Sequence, residues 1–300
     1  MRYCAHLFLF FMLADCITYD KKNNEEELIK SFGLFKFESI QLKKPILFSI
    51  ASSLNPNRKS YILGSAHISE YHIGFPKNEI ILNSLSKSDR LIIEADFGAS
   101  RIVKNQMFLK SQRQKQNLKK YLTESELNLL KKQTGLSTQG IFSKTAYELY
   151  LLVSGTKLVE GLTFDEYLIV TAIGLQKPVY YLEKAEEQNK SVHAAFDIET
   201  LKEVLADLPS SKQKNLKEIN LAISSVYTGD LEKARQYESL FSPKVATNLL
   251  YERNKVWMPK IEKLIHLGGN FIVVGVAHLV GKAGLLKQLR ENGYEVDRLL

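Results

Sequence analysis

The chain has 300 residues, of which 45% are hydrophobic and 25% charged; this is ordinary globular composition and excludes a disordered or low-complexity protein. The length suits one large domain carrying a helical insertion better than two full-sized enzyme domains. The formal charge of +8 comes from scattered lysines, and the densest run, Lys104 to Lys120, has few aromatics beside it. Nucleic-acid binders gather their charge into a stripe flanked by stacking residues, so no nucleic-acid partner is expected, while weak attraction to anionic envelope surfaces stays open.

The first sixteen residues read as a targeting segment. Arg2 forms a minimal positive n-region, and Cys4 to Ala14 is an apolar run followed at once by Tyr19, Asp20, Lys21 and Lys22. A run of about ten apolar residues is too short to span a bilayer and suits a signal-peptide core, so an exported, periplasmic or secreted protein is expected. Leu13-Ala14-Asp15-Cys16 resembles a lipoprotein box with Asp15 where a small residue is wanted, which keeps lipidation at Cys16 as an alternative. Both cysteines, Cys4 and Cys16, lie in this segment, so the mature chain offers neither a disulfide nor a thiolate metal site.

Residues 17–44 form a polar N-terminal segment, and 45–300 read as the α/β domain. Pro45 to Ile50 predicts a strand, Leu54 to Arg58 a turn containing Asn-Pro-Asn, and Ser60 to Leu63 a second strand ending at Gly64. Pro76 opens a helix with Ile80, Ile81 and Leu85 at helical spacing, and Leu91-Ile92-Ile93 predicts a strand buried on both faces. Strand, helix, strand in that order makes a βαβ unit and implies parallel pairing. Helices are expected over about 101–160, with an N-cap signal at Leu122 to Glu126, and again over about 192–265. Between these insertions lie a helix from Asp165 to Ile173 and a strand from Pro178 to Leu182. Phe271 to Val274 predicts a strand, Ala283 to Asn292 a helix capped by Gly293, and Tyr294 to Leu299 the last strand. The fold class is α/β: a mostly parallel central sheet with flanking helices and a helical insertion.

Chemistry-bearing residues follow the buried strands. Gly64-Ser65-Ala66-His67 follows one, Glu94 the next, Glu183 the next, and Gly275-Val276-Ala277-His278 the last. Ligand sites in open parallel sheets lie beyond the carboxyl ends of the strands, so these residues are expected to converge on one edge. Two Gly-x-Ala-His segments are less easily structural than one. Imidazole nitrogens suit zinc, manganese, cobalt or iron, and a carboxylate would complete a site with open positions. Glu94 is either crevice-facing or a buried charge in want of a partner, and Glu183 either shares the crevice or begins a loop. His72, His193 and His266 read as solvated or structural, and His6 belongs to the targeting segment. The chain carries no HExxH helix, serine nucleophile elbow or phosphate-cradling glycine loop, which excludes zincin, serine-hydrolase and P-loop readings.

The segments Tyr61 to His67, Ile92 to Glu94 and Val274 to Leu279 resemble the TraB/GumN (TraB/PrgY, Tiki-like) family, with erythromycin-esterase and ChaN-like proteins as remoter relatives. Gly161 to Leu168, Ala172 to Val179, Leu182-Glu183 with Gln188, and Glu252-Arg253-Asn254 extend the similarity, in the family's order, over about residues 45 to 299. The resemblance implies an erythromycin-esterase/ChaN-like α/β core with a site built on two histidines and a glutamate. It makes His67, Glu94 and His278 the metal-binding or catalytic trio, Arg253 the cationic helper for a substrate carboxylate or oxyanion, and Asn254 its support. By residue chemistry alone, Arg253 reads instead as a helix-surface salt bridge. Tiki relatives imply a divalent metal, manganese or cobalt first and zinc next, and a peptide or protein substrate. The working expectation is therefore a metal-dependent hydrolase cleaving peptide bonds with a metal-activated water. Two alternatives stand beside it: a metal-independent esterase-like hydrolase with a histidine as general base, and a non-enzymatic protein that holds a peptide or haem in the same crevice.

Overall fold

A computed structural model of the chain describes residues 44–66, 79–95, 112, 117–154 and 163–299. The targeting segment, Cys16, His67 and His72 lie outside these residues. At the centre is a six-stranded sheet in the order β4-β3-β5-β2-β1-β6. Its strands are β1 (Leu47–Ser52), β2 (Asn55–Ser65), β3 (Arg90–Ala95), β4 (Val179–Glu183), β5 (Asn270–Gly275) and β6 (Glu295–Arg298). β4, β3, β5 and β2 run parallel, and β1 is antiparallel to both β2 and β6. The sheet is thus mostly parallel, as the strand–helix alternation implies, with its one reversed strand set by the β1–β2 hairpin.

That hairpin turns more sharply than the sequence suggests. The turn is Ser53-Leu54, where the Ser52 hydroxyl accepts from the Leu54 amide at 3.2 Å. Ser52 pairs with Asn55 and Ile50 with Ser60, so residues 56–59 bulge out of the ladder. Pro56 lacks an amide to donate and is placed where no ladder bond is needed.

Alternation along the parallel strands divides the interior in two. Ile62, Ile92, Leu182, Ile272 and Val274 face a large core shared with the helical insertions. Leu63, Leu91, Ile93, Phe271 and Val273 face a smaller one, covered by α1 (Glu79–Lys87) through Ile81 and Leu85 and by α5 (Phe164–Gly174) through Leu168 and Ala172. Burial on both faces is why these strands read as continuous apolar runs.

The first insertion contributes α2 (Glu124–Thr134), α3 (Thr138–Phe142) and α4 (Ala146–Ser154). Thr123 and Glu126 form the capping box that starts α2. After β4 come α6 (Ala185–Ala195), α7 (Ile198–Ala206), α8 (Leu208–Thr228), α9 (Leu231–Ser239) and α10 (Pro243–Ala246). One π turn, Thr247–Tyr251, runs straight into α11 (Glu252–Leu267). The single turn α12 (Val276–Leu279) leaves β5, and α13 (Leu285–Glu291) leads to β6 through Gly293, whose φ of +84° suits glycine. Among the described residues no helix is long and apolar enough to cross a membrane.

His193 on α6 is buried rather than solvated, its ring edge-on to Tyr147 at a centroid distance of 5.3 Å. Burial pushes its pKa from the ordinary 6.5 down to about 4, with the Glu148 charge opposing that shift. Between these values the unfolded chain binds the proton and the folded chain does not, so stability rises with pH across this window. Urea unfolding should show up to about 3 kcal/mol lost between pH 6.5 and pH 4 through this residue, a contribution that His193→Leu removes. An unaltered pH slope in His193→Leu would count against this role.

Candidate functional site

The parallel strands bring their carboxyl ends to one edge, and four of the five site residues named from sequence meet there. Glu94 lies within β3 rather than just beyond it, on the same face as Ile92, and is fully buried. Its Oε1 accepts from the Gly275 amide at the end of β5, at 2.5 Å. His278 rides on α12, three residues past Gly275, and is also fully buried. Gly64 makes room for this turn against β2: a Cβ there would come within 3.0 Å of Leu279 Cδ1 and 3.2 Å of Val276 Cγ2. The fifth residue, His67, follows Ser65 and Ala66 out of β2 and lies outside the described residues.

Arg253 and Asn254 come from the start of α11. Arg253 is not a surface ion pair but is buried beneath the strand ends. The π turn before it changes the main-chain bonding, with the Glu252 amide reaching Thr247 O, and the Leu249 carbonyl accepts from Arg253 Nη1 at 3.1 Å. The guanidinium's five N–H groups all find acceptors. Nη2 donates to Glu94 Oε2 at 2.8 Å and to Glu183 Oε1 at 2.6 Å, and Nε donates to Glu183 at 3.0 Å. Nη1 reaches Leu249 and also His278 Nε2, at 3.1 Å.

The histidine's tautomer follows from its neighbours. Asn254 Nδ2 donates to the carbonyls of His278 (3.0 Å) and Ala283 (2.8 Å), which turns its Oδ1 onto His278 Nδ1 at 2.5 Å. Nδ1 therefore carries the hydrogen. Arginine only donates, so the Nε2 facing it presents its lone pair. Trp257, one helical turn beyond Arg253, lies beneath both groups: its ring is 4.4 Å from His278 and 4.5 Å from the guanidinium carbon. Its indole N–H donates to Glu183 Oε2 at 3.2 Å.

Electrostatically, two carboxylates share one guanidinium. Burial would lower the Arg253 pKa, but the charges of Glu183 and Glu94 more than reverse this and hold it charged. Burial raises the Glu183 pKa, helped by Glu94 and opposed by Arg253.

Trp257 is the participant that sequence reasoning missed, while Glu183, weighed either as sharing the crevice or as beginning a loop, is the last residue of β4 and is engaged by Arg253. For Trp257, the signal was its i,i+4 spacing from Arg253.

The family model described as TraB/PrgY/gumN matches residues 48–298, spanning β1 to β6. No curated protein and no solved structure matches the chain.

Arg253→Met would leave Glu94 and Glu183 as uncompensated buried carboxylates. A destabilisation of about 3–5 kcal/mol is expected at pH 7, shrinking as pH falls and Glu183, whose pKa burial already raises and Arg253 opposes, takes up a proton. Urea unfolding at pH 7 and pH 5 measures this. Equal losses at both pH values would contradict it.

Proposed function

The chain belongs to the TraB/PrgY/gumN family, and from that premise we propose that it is an exported hydrolase of peptide bonds whose reacting centre lies at the carboxyl edge of the sheet. One observation carries this reading: a fully buried histidine with its tautomer fixed stands beside a buried arginine held between two carboxylates. Perturbed buried groups of this kind cluster at functional sites.

Among the described residues no group of three or more His, Cys, Asp or Glu side chains is placed to hold a metal ion, so a divalent ion would need His67 beside the two donors at hand. Those donors, Glu94 Oε1 and His278 Nε2, lie 3.8 Å apart, and Asn254 backs the imidazole as outer-shell partners back metal-bound histidines. His67, His278 and Glu94 would hold the ion, with manganese or cobalt first and zinc next. When bound, such an ion supplies Lewis acidity, polarising the carbonyl and making water acidic enough to lose a proton near neutral pH. The remaining work falls to the chain. Asn254 keeps the His278 ring from turning, Trp257 excludes water from one side, and Arg253 offers a fixed positive charge to the carbonyl oxygen as it becomes an oxyanion. For Nε2 to serve a ligand, Nη1 must give up its contact there; Glu183 retains the guanidinium meanwhile through Nε and Nη2.

The tautomer that Asn254 fixes also supports a second reading, a metal-independent hydrolase in which His278 Nε2 is the general base once Nη1 withdraws from it. Metal content and activity on a fluorescence-quenched peptide library, measured on protein lacking residues 1–16, separate the two. The metal reading expects stoichiometric manganese or cobalt, activity abolished by chelator, and loss of both in His67→Ala/His278→Ala but not in His72→Ala. Chelator-insensitive activity would establish the second reading, and equal activity in all variants would overturn both.

A further inference from the structure

Glu183 lies outside the trio that the strand ends and the resemblance single out, yet it grips the guanidinium along a whole edge. We infer that Glu183 is a positioning residue: it sets the direction of Arg253, so that Nη1 faces His278 Nε2 and Nη2 faces Glu94. Its Oε1 accepts from Nη2 at 2.6 Å and from Nε at 3.0 Å, and its Oε2 lies 3.3 Å from Nε. The guanidinium is planar, so a carboxylate across the Nε–Nη2 edge fixes both its plane and its rotation. Once that edge is fixed, the Nη1 hydrogens and the second Nη2 hydrogen can point only toward Leu249, His278 and Glu94.

Glu183 is itself held by three neighbouring groups. Trp257 Nε1 donates to Oε2 at 3.2 Å. Ala95 of β3 pairs with Glu183, and Lys260 Nζ donates to the preceding carbonyl of Leu182 at 2.6 Å. Trp257 also supports the guanidinium face from beneath. Glu94 is placed differently: it meets Arg253 through Nη2, and its other oxygen takes the Gly275 amide and looks toward His278. The two carboxylates therefore divide the work, Glu94 facing the reacting side and Glu183 anchoring the arginine from behind.

The kinetic consequence rests on the hydrolase reading, while the positioning itself does not. The test is ¹H–¹⁵N NMR of the ¹⁵N-labelled full-length chain beside steady-state kinetics on the fluorescence-quenched peptide library. The Arg253 Nε–H signal is assigned as the one lost in Arg253→Lys. Trp257 is the chain's sole tryptophan, so its indole N–H gives a single resonance. In Glu183→Gln, the Arg253 Nε–H signal should broaden or shift and the indole signal should move with it. The kcat should fall by about tenfold or more with KM changed far less, the pattern of a lost transition-state contact. Glu183→Asp, keeping the charge on a shorter stem, should restore part of both. An Arg253 Nε–H signal unchanged in Glu183→Gln would overturn the inference; should that variant not fold, Glu183→Asp decides on the same signal. Absence of wild-type peptidase activity would sink the hydrolase reading alone, since the NMR arm still decides the positioning.

Discussion

Among the described residues, the guanidinium of Arg253 ties together groups from four separate elements at the carboxyl edge of the sheet. It bonds Glu94 of β3, Glu183 of β4, the Leu249 carbonyl of the π turn and His278 beyond β5. Burying such a cluster gains little net stability, because desolvating the charges offsets their attraction. It does restrict the arrangements the chain can adopt: α11 can approach the strand ends only with its first turn facing Glu94 and Glu183. A helix rotated or shifted by one residue would break the ion pairs among these three buried charges.

The main chain is shaped to make that contact available. The π turn brings the Leu249 carbonyl onto the Arg253 side chain, and the bare Cα of Gly64 lets the His278 turn rest on β2. Asn254, the next residue after Arg253, spends its amide on two carbonyls around the His278 loop and its oxygen on the ring. Adjacent residues of one helix therefore fix the arginine and the histidine together, coupling local backbone geometry to the proposed chemistry.

Much of this was legible in the sequence because parallel strands buried on both faces leave apolar runs that end where their chemistry begins. Leu91 to Ile93 and Phe271 to Val274 announced β3 and β5, and the residues after them announced Glu94 and His278. The turn at Ser53-Leu54 was less legible, since Asn-Pro-Asn forms a bulge in β2 instead of the turn itself. Arg253 was the hardest: an arginine in a polar stretch looks solvated until the tertiary fold supplies two carboxylates from strands 70 and 159 residues away. Resemblance, not periodicity, marked it. The role of Glu183 depends on side-chain direction at the end of a short strand, which no pattern of apolar residues encodes.

The metal-dependent chemistry proposed requires that a cation and substrate meet on the side of Arg253 facing Glu94 and His278. Anomalous diffraction at the manganese edge, from crystals grown with manganese, tests this most directly. A single strong peak beside His278 Nε2 is expected, with Nη1 moved off that atom and Nε still on Glu183. A guanidinium still seated on Nε2, with no peak at the carboxyl edge of the sheet, would contradict it.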